Sequence, residues 1–220
     1  MKTIYIVAGG PIDQLPDLKA WPAPSLWVGV DRGISSMLSQ GIKPNIVFGD
    51  FDSVEPSDLD IIKQEDFVVF QYPSEKDDTD LGLAFHWALS KEPETIIIFG
   101  NTGGRMDHTM GGIQLLLSHK VLSLFPRTEV RIVDQSNSMT ARAAGSYTIR
   151  KQQRYKYISF LPMSPVVEGL TLSGFKYPLA DKDIALGSTL CISNELISEN
   201  GHFSFRTGIL LVISSTDQDT

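Results

Sequence analysis

The chain has 220 residues, of which 42% are hydrophobic, so it can form one large or two smaller domains with an apolar core. Its formal net charge of −7 argues against a nucleic-acid-binding protein, because no basic stripe is available to displace counterions from a phosphate backbone. No apolar run approaches the roughly 20 residues of a membrane span and the first residues do not resemble a secretory signal, which predicts a cytoplasmic protein without a membrane partner.

The first part of the chain alternates apolar, β-branched runs with helical patterns. Helical spacing of apolar residues is seen near residues 34–38, 59–62, 81–89 and 110–120. This alternation predicts a doubly wound, mostly parallel sheet with helices on both faces. The predicted strands are residues 3–8, 26–30, 45–48, 67–70, 95–99 and 129–133.

The pattern changes after residue 134, where short alternating segments are separated by glycine and proline. Such spacing is typical of an antiparallel β-sandwich or barrel. We therefore expect two domains, residues 1–134 with the parallel sheet and residues 135–220 with the antiparallel strands. Cys191 is the single cysteine and lies in an apolar run, which favours a small core residue. The predicted strands of this part are residues 146–149, 155–160, 166–172, 188–193, 202–206 and 209–213.

Three carboxylate-bearing turns each follow a strand predicted in the first domain. In a doubly wound sheet the turns beyond the carboxyl ends of neighbouring strands converge on one crevice, where ligands bind. Clustered aspartates repel one another unless a cation neutralises them, and Mg²⁺ bound to substrate phosphates is a suitable partner. The acidic residues of these turns are Asp50, Asp52, Asp77, Asp78, Asp80 and Asp107.

Each of these features also has a purely structural interpretation. Asp31 precedes a predicted helix and is either its N-cap or a ligand, and Asp78 or Thr79 can cap the helix that follows. Asp50 and Asp52 can form a solvated acidic turn. Two carboxylates at i and i+2 in extended backbone nevertheless point the same way and are able to chelate a cation.

Basic and glycine-rich elements accompany the acidic turns. Lys76 directly precedes Asp77, and a lysine in this place can hold a phosphate as a point charge. The glycine-rich turn at residues 100–104 exposes backbone N–H groups at a predicted helix start, an arrangement suited to phosphate. Arg105 adds a guanidinium fork, while Gly9-Gly10 after the first strand is either a plain turn or a point of close ligand approach. None of these stretches matches a Walker A or GxGxxG motif.

Five motifs in register resemble the thiamine pyrophosphokinase family. They are the turns at residues 49–53, 77–80 and 100–108 and the stretches at residues 174–179 and 192–195. The resemblance implies pyrophosphoryl transfer from ATP to the hydroxyl of thiamine, giving AMP and thiamine diphosphate.

The resemblance also implies roles for individual residues. Asp50, Asp52 and Asp80 would hold Mg²⁺ on the ATP phosphates, with Asp77 nearby as the fourth acidic residue of the catalytic set. Asp107 would reach the thiamine side of the pocket. The nucleotide would be held by Lys76, Thr79, Asn101, Thr102, Gly103, Gly104 and Arg105.

Family members are typically homodimers whose carboxy-terminal sandwich contributes to the partner's thiamine site. By this resemblance Ser193 and Asn194 would face the vitamin across the interface. The segment at residues 208–212 departs from the family pattern because it carries no tryptophan. The aromatic residue that stacks on thiamine therefore stays unassigned.

The residues are compatible with three other functions. A related pyrophosphokinase acting on another hydroxymethyl heterocycle, such as a pterin, would share the acidic crevice. In a Mg²⁺-dependent phosphohydrolase Asp50 would be the nucleophile, and a nucleotide sensor would bind ATP without turnover. Transfer to an alcohol needs positioning and charge neutralisation more than covalent work, which fits the residues independently of the family.

Overall fold

A computed structural model of the chain describes residues 2–49, 67–71 and 77–217. The chain divides into two compact units. The amino-terminal unit consists of Met1–Leu115 with Leu124–Gln135, and the carboxy-terminal unit consists of Leu116–Ser123 with Ser136–Thr220. The helix predicted at residues 59–62 lies outside the described residues. No helix in the described ranges is both long and apolar enough to span a membrane.

The amino-terminal unit is built on a parallel sheet. Its strands are Thr3–Val7 (β1), Leu26–Val30 (β2), Ile46–Gly49 (β3), Val68–Gln71 (β4), Thr95–Phe99 (β5) and Glu129–Val133 (β6). They are rich in Val, Ile and Phe, residues that suit a pleated surface buried on both faces. The strand order is β6-β5-β1-β2-β3-β4, so the chain starts in the middle of the sheet and is wound outwards in both directions.

Helices cover both faces of this sheet, as the sequence predicts. Val47 of β3 packs against Ile34 of one helix, whereas the next residue, Phe48, lies 5.9 Å from the ring of Trp87 in another. Consecutive strand residues point to opposite faces, so the two helices lie on opposite sides. The helices of the amino-terminal unit are Gly33–Ser39 (α1), Asp80–Ser90 (α2) and most of Met106–Leu117 (α3), whereas the end of α3 and nearly all of His119–Leu124 (α4) belong to the carboxy-terminal unit.

An aromatic cluster fills the core on one face of the sheet. Tyr5 makes edge contacts with Trp27 and Phe99 at centroid distances of 5.1 and 5.4 Å, and Trp21 contacts Phe99 at 5.2 Å. Edge-to-face pairs add to the stabilisation gained from area burial. This packing fixes β1 and β5, whose carboxyl ends carry two of the turns described below.

The carboxy-terminal unit is an antiparallel β-structure organised around one long strand. The strands are Asn137–Arg150 (β7), Tyr157–Pro162 (β8), Val166–Ser173 (β9), Leu179–Ala185 (β10) and Asn200–Ser215 (β11). β11 pairs with β7 along its length, while its first half also pairs with β9 and its second half with β8. The register shifts between Phe205 and Ile209, and this bulge lies where the second partner of β11 changes from β9 to β8.

A phenylalanine cluster forms the core of this unit. Phe160 contacts Phe175 and Phe203 at centroid distances of 5.4 and 5.0 Å. Cys191 belongs to the same core and is buried, as expected, and burial raises the pKa of its thiol.

The predicted fold class, an α/β sheet followed by antiparallel β-structure, is confirmed, but several elements differ from prediction. Residues 188–193 are not a strand, and residues 179–185 form β10 instead. The two predicted strands at 202–206 and 209–213 are the halves of β11, because Gly208 permits a bulge rather than a turn between them. The helical pattern at 110–120 is divided between α3 and α4.

Candidate active site

A crevice of about 1320 Å³ opens in the amino-terminal unit beyond the carboxyl ends of β1, β2 and β5. This is where ligands bind in open α/β sheets. The turn before α2 and the turn before α3, far apart in sequence, both line it. Its polar lining comprises Asp31, Arg32, Ser35, Ser36, Ser39, Asp77, Asp78, Thr79, Asp80, Asn101, Arg105 and His108.

The floor of the crevice is made where the turns after β1 and β5 meet. Ala8 donates its backbone N–H to Phe99, and Gly10 donates to the carbonyl of Gly100, both at 2.8 Å. A side chain at Gly10 would overlap the Gly100 carbonyl, so glycine is required by the closeness of the two turns. Gly9, Gly10 and Gly100 all line the crevice.

Asp31 stands at the end of β2 in a left-handed backbone conformation with φ 48°. The N-cap position of α1 is Arg32 rather than Asp31, and Arg32 makes no side-chain capping hydrogen bond. The carboxylate of Asp31 lies against Gly49, where a side chain would overlap it. Gly49 is the last residue of β3, so the carboxylate of Asp31, which follows β2, lies at the carboxyl end of β3.

In the turn before α2, Asp78 and Thr79 make hydrogen bonds that stabilise the start of the helix. Thr79 caps the helix by accepting the N–H of Gly82 at 3.0 Å, and its hydroxyl donates to no acceptor within the described ranges. Asp78 accepts the N–H of Thr79 at 2.9 Å and lies 3.6 Å from Nε2 of His86. Asp77 and Asp80 also line the crevice and are the two residues of this turn expected near the metal.

The glycine-rich turn is braced from below by Asn101. This side chain is only 5% exposed, donates to the carbonyl of Thr109 at 3.3 Å and packs against Gly112 of α3. Thr109 returns a hydrogen bond to the Asn101 carbonyl at 3.1 Å. The exposed Gly103 and Gly104 have φ values of 80° and 64°. Asn101 therefore holds the turn, and the two glycines present its backbone to the crevice side.

Arg105 and Asp107 form a two-pronged ion pair at the start of α3. Nε and Nη2 of Arg105 lie 3.1 and 2.6 Å from the two carboxylate oxygens of Asp107. The hydrogen bond from Arg105 and a second from the backbone N–H of His108 lower the pKa of Asp107 to about 2. Arg105 lines the crevice, and the carboxylate of Asp107 is engaged with Arg105 in this structure.

In the carboxy-terminal unit Asn194 is a buried brace. It is 2% exposed, its amide oxygen accepts the N–H groups of Tyr177 and Glu195, and its amide nitrogen donates to the carbonyl of Tyr177. Ser193 is exposed, with a left-handed φ of 57°, and its N–H donates to Ser159 Oγ. Of this predicted pair, the exposed residue is Ser193.

Three of the predicted site residues, Asp50, Asp52 and Lys76, lie outside the described residues. Within the described ranges no group of three or more histidine, cysteine or acidic side chains is placed to hold a metal ion. The donors that the structure does bring to the crevice, Asp31, Asp77 and Asp80, are hard oxygen ligands of the kind Mg²⁺ prefers. Thr102 is not among the residues that line the crevice.

Two residues that line the crevice at the start of α1, Arg32 and Ser35, were not predicted as site residues. Arg32 follows Asp31 directly, and the hydroxyl oxygen of Ser35 is buried without a hydrogen-bond partner in the part of the chain that the structure describes. Their position just after a strand could have predicted a role in the site. It did not do so because arginine and serine are common at the start of helices.

Comparison with known proteins identifies the family of the chain. Residues 18–125 match the model of the thiamin pyrophosphokinase catalytic domain, and residues 146–210 match that of its vitamin B1 binding domain. The thiamine pyrophosphokinase of Bacillus subtilis (strain 168) is 48% identical over 99% of this chain and 100% of its own length.

Solved structures give the same result. The crystal structure of the Bacillus subtilis thiamine pyrophosphokinase superposes with a TM-score of 0.92 at 48% identity, covering 99% of this chain and 100% of that one. The crystal structure of the Geobacillus thermodenitrificans thiamin pyrophosphokinase gives 0.89 at 45% identity, with 99% of each chain covered. The chain belongs to the thiamin pyrophosphokinase family.

Proposed function

We propose that this protein is a thiamine diphosphokinase that transfers a pyrophosphoryl group from ATP to the hydroxyl of thiamine in the cytoplasm. The observation that carries the proposal is the crevice, which combines acidic side chains with a glycine-rich turn and Arg105 at the carboxyl ends of parallel strands. This combination suits a triphosphate held partly through a cation and partly through backbone N–H groups.

In this proposal Asp50, Asp52 and Asp80 bind Mg²⁺, with Asp77 close by. Bound Mg²⁺ would neutralise charge on the triphosphate and orient it for in-line attack. The carboxylate of Asp31 lies in the crevice against Gly49, the residue before Asp50 in the sequence, and would add a further oxygen donor for the cation. The protein's part is then to position the two substrates and to keep their reacting atoms aligned.

The nucleotide is proposed to lie along the turns before α2 and α3. Thr79 has a hydroxyl proton to donate, and Gly103 and Gly104 can turn backbone N–H groups towards phosphate oxygens. Lys76 and Arg105 supply positive charge. Asn101 would contribute to nucleotide binding by holding the glycine-rich turn in place, and Thr102 would contribute through its backbone.

Thiamine recognition is proposed for residues 135–220, and ATP and Mg²⁺ binding for residues 1–134. Ser193 would contact the vitamin directly, whereas Asn194 would act by fixing the segment at Tyr177. A homodimer would bring the carboxy-terminal unit of one copy to the crevice of the other. The amino-terminal unit contains 19 acidic and 10 basic residues and the carboxy-terminal unit seven and nine, so the units of two copies have complementary charge.

The decisive experiment follows the β-phosphate of ATP. With Mg²⁺ and thiamine, β-labelled ATP should give labelled thiamine diphosphate and an equal amount of AMP, and omission of thiamine should stop AMP release. Label on water whatever alcohol is present would indicate a hydrolase, and transfer to a pterin alcohol instead of thiamine would indicate the related pyrophosphokinase. ATP binding with no AMP formed would indicate a sensor.

A further inference from the structure

The Arg105–Asp107 pair is an ion pair within one short segment rather than a contact between distant elements. Both side chains are exposed, at 73% and 64%, yet both carboxylate oxygens are used. Single-point surface pairs contribute little, whereas the two-pronged arginine–carboxylate geometry restricts the orientation of the guanidinium. The pair therefore determines where Arg105 points.

Asp107 is itself anchored to the helix. Its Oδ1 accepts the backbone N–H of His108 at 3.0 Å, and it lies in the first turn of α3, where the helix dipole favours negative charge. The carboxylate is thus fixed to the backbone of a regular element. An arginine side chain that is paired with this carboxylate is therefore also restricted in its motion.

The pair leaves one edge of the guanidinium open. Asp107 occupies Nε and Nη2, and Nη1 has no acceptor among the residues that the structure describes. Arg105 lines the crevice, while Asp107 is not among the lining residues. A guanidinium with two N–H groups engaged can still bind a phosphate oxygen through its remaining N–H groups.

We propose that Asp107 is a positioning residue that holds the guanidinium of Arg105 towards the phosphates of the nucleotide. This inference rests on the proposed function for the identity of the bound anion. It replaces the direct contact with thiamine that the family resemblance implies for Asp107. Holding the long arginine side chain before binding reduces the entropy lost when the nucleotide arrives.

A double-mutant cycle tests the proposal, with Asp107→Asn, Arg105→Ala and the double variant. Asp107→Asn should raise the Kd of Mg-ATP, measured by calorimetry without thiamine, by about three- to tenfold. The KM for ATP should rise similarly and the KM for thiamine should not change. In the Arg105→Ala variant, adding Asp107→Asn should not raise the Kd of Mg-ATP further. In the protein that retains Arg105, Asp107→Glu should bind Mg-ATP more tightly than Asp107→Asn does.

Two results would overturn the proposal. One is a rise in the KM for thiamine with ATP binding unchanged, which would make Asp107 a direct thiamine contact. The other is an equal loss of ATP affinity whether or not Arg105 is present. The exposed Glu168→Gln variant in the carboxy-terminal unit serves as a charge-matched control and should leave both values unchanged.

An independent readout separates this inference from the proposed function. The Nε–H group of Arg105 should be ordered in NMR relaxation of the ligand-free wild type and mobile in Asp107→Asn. If the wild type failed to bind ATP, the proposed function would fall, and the Nε–H measurement would still decide whether Asp107 fixes Arg105. Equal mobility in both proteins would end the positioning role.

Discussion

Substitution of Asn194 by alanine should weaken both the carboxy-terminal unit and its thiamine recognition. The side chain is 2% exposed and makes three hydrogen bonds, of 3.0 and 2.9 Å to the N–H groups of Tyr177 and Glu195 and of 2.8 Å to the carbonyl of Tyr177. Each is worth about 1 kcal/mol net, and the groups left behind are partly buried, so we expect a loss of about 2–4 kcal/mol. The melting temperature should fall by about 5–15 °C.

The neighbouring Ser193→Ala variant is the matched control. Ser193 is exposed, and its recorded hydrogen bond to Ser159 is donated by the backbone, which alanine retains. Ser193→Ala should therefore change stability by less than about 0.5 kcal/mol. If Ser193 contacts thiamine, the Ser193→Ala variant should nevertheless have a higher KM for thiamine than the wild type.

Calorimetric melting and steady-state kinetics with each substrate varied give the required measurements. Asn194→Ala should raise the KM for thiamine more than the KM for ATP, because the segment at Tyr177 loses its support. A melting temperature within about 2 °C of the wild type would refute the bracing role. An equal rise in both KM values would refute the assignment to thiamine.

Three further predictions concern the amino-terminal unit. Asp52→Asn and Asp80→Asn should each abolish turnover at ordinary Mg²⁺ concentrations. The circular dichroism spectrum should stay unchanged, since removing one of several like charges relieves repulsion. Wild-type rates in either variant would contradict the metal assignment. The Asp107 carboxyl should titrate near 2 by ¹³C NMR and return towards its ordinary value of 3.8 in Arg105→Ala. Because its pKa is lowered in the folded protein, the stability it contributes should be fully present above 3.8 and lost as the pH falls through about 2. Phe99→Ala, which removes a fully buried ring from the cluster with Tyr5 and Trp21, should cost about 3–5 kcal/mol in denaturant unfolding.

The parallel sheet was predictable because its strands carry a strong local signal. All six were predicted to within about one residue at each end, since uninterrupted Val, Ile and Phe runs can be buried on both faces of a parallel sheet. The family was also identified correctly from five short motifs. The motifs identify the family even where the boundaries of helices and strands are predicted imprecisely, because the chemistry depends on the type and order of the residues.

The antiparallel strands were harder to predict because whether a segment forms a strand depends on a pairing partner that is distant in sequence. β10 has the sequence Leu-Ala-Asp-Lys-Asp-Ile-Ala, which carries little apolar alternation, and it forms a strand because β9 offers a partner. Residues 188–193 have the apolar character of a strand but form turns instead. Gly208 in the sequence predicts a turn, but within a strand glycine also permits a bulge, which is what β11 contains.

The same limit applies to the candidate site, where a polar residue in a turn can be a brace or a ligand. Asn101 and Asn194 were both predicted to contact substrates, and both are buried amides whose hydrogen bonds go to the backbone of a neighbouring segment. A turn that must present its backbone or an exposed side chain to a ligand has few backbone hydrogen bonds of its own, so a buried amide has to supply them. Ligand and brace are therefore required together and lie close in sequence, as Ser193 does to Asn194 and Gly103 to Asn101. Only burial separates the two roles, and burial is a property of the folded chain.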